Sequence, residues 1–503
     1  MDQDNKRERN KGEIEVQRRD QRYNNHKPRS PESVIQINSF YEGLTSDTGC
    51  SWTIYPVPNH LRAVYRNAFE PRIISIGPHY YNVRLGRTQM HVMEKHKKRF
   101  LVRLLGGKPE LRRSNRDMPT TSQEERESDN RECGEDNDGS QKKKAPHLED
   151  LMEAMKLLEQ ETRACYSLKF DIGSKDFVEM MVLDGCFVVE LLRLYYELFH
   201  AKSTVVANED DLIFTHVWIL TNLQRDLLML ENQLPFFVLE KLFILINKNN
   251  TDPQAVPLEV LTVTFFNPLL PQQNVALKLN TNNPKAHLLD VFHSTFLKSV
   301  SQKVHKPQLN PDGSIRGLAL HFATDLQEAG VKFRKWEGHD LLDIEFAHGT
   351  LRVPPLSINE NTVSLLLNFI AYELRVNHRK SFFTNYLMFW ESLVYCPGDI
   401  RTLHKHGIIN HVSGSEEDMA NLLIKCRQVI NDLDLGYLYN IIEEVNEYSK
   451  RYYTSKYRVW WRSLIREHFR SPWTCLSLFA AIIILLLTFV QTFYAVYSYD
   501  RPH

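Results

Sequence analysis

Cysteine is scarce: seven residues in 503, with no two spaced as a C-x-x-C pair. That suits a reducing compartment better than a disulfide framework. Neither sign of charge is in excess, with 62 Lys plus Arg against 62 Asp plus Glu. A global electrostatic bias toward nucleic acid is thereby excluded. The short basic runs Lys95–Arg99 and Lys142–Lys144 have no aromatic stacking frame and read as solvated faces. The first residues, MDQDNKRERN, contain no apolar core, so no secretory signal peptide is expected. No G-x-S-x-G, P-loop or strand-linked G-x-G-x-x-G occurs. His91 and His96 in HVMEKH are five apart, about 140° around a helix, where paired zinc ligands need one face. His404, His406 and His411 in LHKHGIINH read as loop histidines. No catalytic, cofactor or metal residue is assigned.

Long apolar runs are also missing until the end of the chain, where the pattern reverses. SPWTCLSLFAAIIILLLTFVQTFYAVYSYD spans residues 471 to 500 and carries no charge from Ser471 to Tyr499. A bilayer core of about 30 Å needs roughly 20 helical residues, and residues 473 to 497 supply 25. Thr488, Gln491 and Thr492 are polar but uncharged. Ser471 and Pro472 read as an N-cap and a first-turn proline. Trp460, Trp461 and Trp473 before the apolar core, with Tyr494, Tyr497 and Tyr499 at or beyond its far end, form an aromatic belt. Lys450, Arg451, Lys456, Arg458, Arg462, Arg466 and Arg470 precede the span against one acid, Glu467. Positive charge stays cytoplasmic, so the chain reads as a tail-anchored membrane protein whose large N-terminal part faces the cytosol. The expected interface residues are Arg462, Arg466, Arg470, Trp473, Tyr494 and Tyr497. The basic run would also hold anionic lipid head groups. The sequon at Asn249 would then never meet the glycosylation machinery.

Between the ends the chain is mainly helical in pattern. Residues 1–50 are polar and aperiodic and are expected to be disordered, as is an insertion over about 106–146. Prolines 56, 58, 71 and 78 make residues 54–82 extended. TQMHVMEKHKKRFLVRLL turns helical, with Met90, Met93, Phe100, Leu101 and Leu104 on one face. The stretches from Asp176 to Phe199 and from Leu212 to Ile246 are apolar on most faces and should be the most buried helices. Asp226 and Glu231 in the second need partners, for which Arg225 and Asn232 are nearest. LLDIEF and TLRVPPLSI flank His348-Gly349 as a β-hairpin, and Ser415 with Asp418 forms a capping signature. The expected architecture is a mainly α domain over 51–470 with a minor hairpin, a transmembrane helix over 473–497 and a short tail at 498–503.

IYPVPNHLR, FEPRIISIGPHYYN, MEKHKKRFL, MVLDGCFVVELL, DLLMLENQLPFFVLEKLF, LLDIEFAHGTLRVPPLSI and the terminal SPWTCLSLFAAIIILLLTFVQTFYAV occur in this order between about residues 52 and 497. Together they resemble the plant Domain of Unknown Function 247 family. SIGPHYYN departs slightly from the family's SIGPYHHG-like run. The resemblance implies a plant membrane protein with a mostly helical domain and no established activity or cofactor. Grass members are linked to pollen-side recognition in self-incompatibility, a role the resemblance does not by itself transfer. Two readings stand at this point: an anchored module that recognises a protein partner in addition to membrane lipid, and a membrane-tethered enzyme of unrecognised mechanism.

Overall fold

The computed structural model describes residues 52–84, 88–106, 146–200, 212–248, 256–270, 284–300, 320–337, 340–376, 381–411, 415–427, 436–454 and 472–500. The N-terminal tail and nearly all of the 106–146 insertion lie outside these residues.

The fold is mainly α-helical. A long extended segment, residues 52–58 and 69–80, holds only the short helix α1 (Asn59–Val64) and a 3₁₀ turn (Arg66–Ala68) between its halves. Next come α2 (Thr88–Leu104), α3 (Leu148–Leu157) and α4 (Ser174–Phe199). Helix α4 is the hub. After α5 (Val217–Asp226) come α6 (Phe236–Asn247) and α7 (Leu258–Phe266), and α4 packs against α2, α3, α6 and α7. Val178, Met181, Phe187, Val188, Leu191 and Leu192 lie buried along it. Gly185 lets α6 come close, because a Cβ there would stand 2.3 Å from Leu242 Cδ1.

The Leu212–Ile246 stretch differs from the single buried helix its composition suggests. It divides into a turn of helix at Leu212–Thr215, then α5, a non-helical link over 227–235, and α6. Pro235 disfavours helix at Leu234 and serves as N-cap of α6. The side chains of Asn232 and Gln233 also bond backbone carbonyls in place of helix hydrogen bonds. Burial is continuous from Leu223 through the link to Phe236, whereas Val217 and Trp218 are 78% and 58% exposed.

Helix α8 (Leu288–Val300) joins the core through Phe292 and Phe296, whose rings meet Phe266, Phe369 and Phe383. A short helix, α9 (Ala323–Glu328), leads into the small sheet. Strand β2 (Glu345–Ala347) pairs antiparallel with β3 (Thr350–Val353), and β1 (Lys332–Lys335) adds parallel on the other side of β3. The hairpin expected at His348-Gly349 is present. Both turn residues have positive φ, 51° and 73°, as a two-residue turn matched to strand twist requires. The parallel strand β1 carries no local signal. A second pair joins β4 (Leu356–Ile358) to β5 (Ile409–His411).

The C-terminal half continues with α10 (Glu360–Val376), α11 (Phe382–Leu393), α12 (Pro397–Lys405), α13 (Glu416–Arg427) and α14 (Tyr439–Thr454). The capping signature forms: Asp418 N donates to Ser415 Oγ at 3.1 Å, and Ser415 N donates to Asp418 Oδ2 at 3.0 Å. The last element is α15 (Pro472–Asp500).

Candidate membrane anchor and buried polar network

Helix α15 contains the candidate anchor. Leu476–Val496, 21 residues with a mean hydropathy of 2.4, is long and apolar enough to cross a membrane, and none of it is buried against the rest of the protein. A core helix of a soluble protein would be covered. Pro472 occupies the first helical position, where its missing N–H costs nothing. Thr488 and Thr492 return their hydroxyl protons to the carbonyls of Ile484 and Thr488, each at 2.8 Å. Of the expected interface residues, Tyr494 stands 65% exposed near the far end of the span. Trp473 and Tyr497 belong to α15, while Arg462, Arg466 and Arg470 lie outside the described residues.

The domain's densest polar chemistry surrounds the 227–235 link. Prolines 56, 58, 71 and 78 keep the N-terminal segment extended, so its backbone N–H groups cannot be spent within a helix. Side chains from α4, α5 and the link take six of them. Asp226 Oδ2 accepts from Arg72, Ile73 and Ile74 at 2.8, 2.8 and 3.2 Å. Glu231 Oε1 accepts from Val57 at 2.8 Å, Asn232 Oδ1 from Ile76 at 2.8 Å and Asp184 Oδ2 from Gly77 at 2.9 Å. Gly77 sits at φ 68°, and a Cβ there would stand 2.8 Å from the Gln233 carbonyl oxygen.

Each fully buried carboxylate of this network meets a cation. Arg225 Nη1 donates to Asp226 Oδ1 at 2.7 Å. Burial pushes the Asp226 carboxyl above its ordinary range, against the pull of Arg225 and the three N–H groups. Glu231 receives the Arg62 guanidinium, and the Tyr80 hydroxyl at 2.8 Å. His79 Nε2 lies 3.4 Å from its second oxygen, and burial lowers that imidazole below its usual range. Lys97 is fully buried, and its three protons meet Ser75 O, Glu94 Oε1 and Asp184 Oδ1 at 2.5, 2.6 and 2.7 Å. The Lys95–Arg99 run is therefore not a uniformly solvated face. Of the two partners the sequence suggests, Arg225 pairs with Asp226 and Asn232 donates to its carbonyl at 2.8 Å. The partners of Glu231 come from about 150 to 175 residues upstream in the chain, beyond the reach of local reading.

Two further buried groups close the C-terminal half. Glu373, at the end of α10, accepts from Phe383 N and Thr384 N at 2.9 Å each and from His293 Nε2 at 2.9 Å. It caps α11 from another helix, where Ser381 makes no side-chain cap. Asp399 accepts from Thr324 N at 2.9 Å and from Tyr395 N and Cys396 N at 3.0 Å each. Against the upward push of burial, these donors hold it below the usual carboxylate range.

These carboxylates spend their acceptor positions on holding distant segments of the chain together. Among the described residues no three His, Cys, Asp or Glu side chains are grouped to hold a metal ion. His91 is exposed and His96 buried, on different faces of α2. His404 lies in α12 and His411 in β5, so LHKHGIINH is not a loop; the His406 ring is tied to Thr402 O at 2.8 Å. Burial pushes the Cys186 thiol up to about 12, so it stays protonated and inert. A small pocket of about 40 Å³ opens between β4, α10, α11 and α13, walled by Leu356, Leu366, Ile370, Leu387, Trp390 and Met419 among others. Its wall is almost wholly apolar, with Thr362 and Tyr386 also lining it.

Two Arabidopsis thaliana proteins are similar along most of their length. The UPF0481 protein At3g47200 is 27% identical over 467 residues, which cover 89% of this chain and 87% of that protein. The putative UPF0481 protein At3g02645 is 20% identical over 537 residues, with 89% and 90% covered. No solved structure matches significantly. A family model described as a plant protein of unknown function matches residues 54–487, from the first buried residues of the extended segment into the apolar helix, and the chain therefore belongs to the Domain of Unknown Function 247 family.

Proposed function

We propose that this protein is a single-pass membrane protein whose helical domain, over about residues 51–470, recognises a protein partner from the cytosolic face. The uncovered apolar helix Leu476–Val496 carries the reading. An uncovered stretch this long is stable in hydrocarbon and costly in water. The basic residues from Lys450 to Arg470 support the cytosolic orientation and contact with anionic lipid. The buried carboxylates, occupied by backbone donors in a structural role, favour recognition over catalysis.

Insertion tests the reading. Leu485 and Leu486 fall at the middle of the span. Each arginine placed there costs about 2.5–3.5 kcal/mol on the insertion scale. Leu485→Arg with Leu486→Arg should move the protein from the membrane pellet to the soluble fraction while its circular dichroism stays helical. A wild-type chain that is fully soluble at alkaline pH, without detergent, would refute the anchor. Proximity labelling at the membrane would identify the partner, and labelling confined to lumenal or extracellular proteins would refute the cytosolic orientation.

A further inference from the structure

We propose that the span pairs with the span of a second copy of this chain, through a face of mostly small and polar side chains that includes Gln491. The inference rests on the membrane reading above. Within Leu476–Val496 the side chains are sorted around the helix. Advancing about 100° per residue, Ser477, Ala481, Ile484, Thr488, Gln491 and Ala495 fall within about 80° of one another. Five of these six are small or polar. Ala480 and Thr492, the other small or polar residues of the span, flank the same face, and the rest of the circumference is Leu, Ile, Phe, Val and Tyr. The successive spacings of four and three residues form the seam of a left-handed helix pair.

Gln491 decides that this seam is occupied. It lies five residues from the middle of the span, about 7.5 Å along the axis, well inside a hydrocarbon half-thickness of about 15 Å. The two threonine hydroxyls nearby bond their own backbone. Among the described residues the Gln491 carboxamide has no such partner, and its side chain points away from the protein. Its side chain offers two N–H donors and an acceptor oxygen, and hydrocarbon satisfies none of them. A carboxamide both donates and accepts, so the same residue at the same depth on a parallel copy is its complement. The contact is isologous and closes as a two-fold pair. The small side chains at positions 477, 481 and 495 let the two backbones approach, as membrane helix contacts require.

The test uses the full chain, labelled with donor or acceptor fluorophore, in phosphatidylcholine vesicles at decreasing protein-to-lipid ratio. Flotation of the vesicles is scored first. Energy transfer should persist at dilutions where random proximity gives none. Gln491→Leu should weaken association about tenfold, Gln491→Asn should retain most of it, and Leu486→Ala on the opposite face should leave it unchanged. Protein that floats but shows no transfer above random overturns the pairing alone. Transfer indifferent to Gln491→Leu overturns the role of the carboxamide, and transfer that appears only when another membrane protein is added overturns the second copy as partner. Failure to float removes the anchor itself and the pairing with it.

Discussion

Lys97 places three protons against three acceptors with no solvent in reach. Such a site is stable only while complete. Lys97→Met leaves Asp184 buried and uncompensated, and should cost about 3–5 kcal/mol in urea unfolding of the detergent-solubilised protein. Lys97→Met with Asp184→Asn should recover part of that loss, because the amide removes the uncompensated charge while its oxygen still accepts from Gly77 N. Equal losses in the single and double variants would mean that the ion pair itself, and not its disruption, governs stability. Gly77→Ala should cost about 1–3 kcal/mol, since the alanine meets both a left-handed backbone and the Gln233 carbonyl. His287 gives a pH signature. Its Nε2–H donates to Thr53 O at 3.2 Å and its Nδ1 accepts from Asp290 N at 3.2 Å, so the ring is neutral in the fold. Burial lowers its pKa to about 4. The unfolded chain, with an ordinary histidine, takes the proton first. Stability should therefore fall by about 3 kcal/mol as pH drops from about 6.5 to 4, and His287→Gln should flatten that part of the profile. At this scale the sequence showed that Asp226 and Glu231 need partners, but not that those partners are backbone N–H groups of a proline-rich segment far upstream. Only the fold brings the two together.

Single elements were legible where their signals are local. The His348-Gly349 turn, the Ser415–Asp418 box and the apolar face of α2 each depend on neighbours within a few residues. The α5–α6 stretch misleads because its composition is that of one buried helix, while Pro235 and the Asn232 and Gln233 side chains interrupt the backbone ladder. Strand β1 and the β4–β5 pair are parallel, so their partners lie 18 and 53 residues away in register and leave no mark in periodicity. The cap on α11 is likewise non-local. Glu373→Gln keeps the shape but cannot accept from Phe383, Thr384 and His293 with both oxygens. It should destabilise the protein by about 1–3 kcal/mol, with amides at the start of α11 losing hydrogen-exchange protection ahead of those in α4. Uniform loss of protection across both helices would show that Glu373 supports the whole core and not one helix end.

On the scale of the whole molecule, two solvents divide the chain. The domain buries its apolar side chains around α4 and the phenylalanine cluster, whereas Leu476–Val496 keeps every described side chain outward. That contrast was legible in the sequence, since length and the absence of charge suffice to mark a span. What the span holds, and on which side, rests on the basic run before it. The most direct measurement is glycosylation mapping of the membrane-inserted full chain, with an acceptor sequon on a flexible spacer after His503. The account predicts modification at the added sequon and none at Asn249. Modification at Asn249 with an unmodified C-terminal sequon would place the domain on the far side of the membrane, and modification at neither in a chain extracted by alkaline buffer would contradict the span itself.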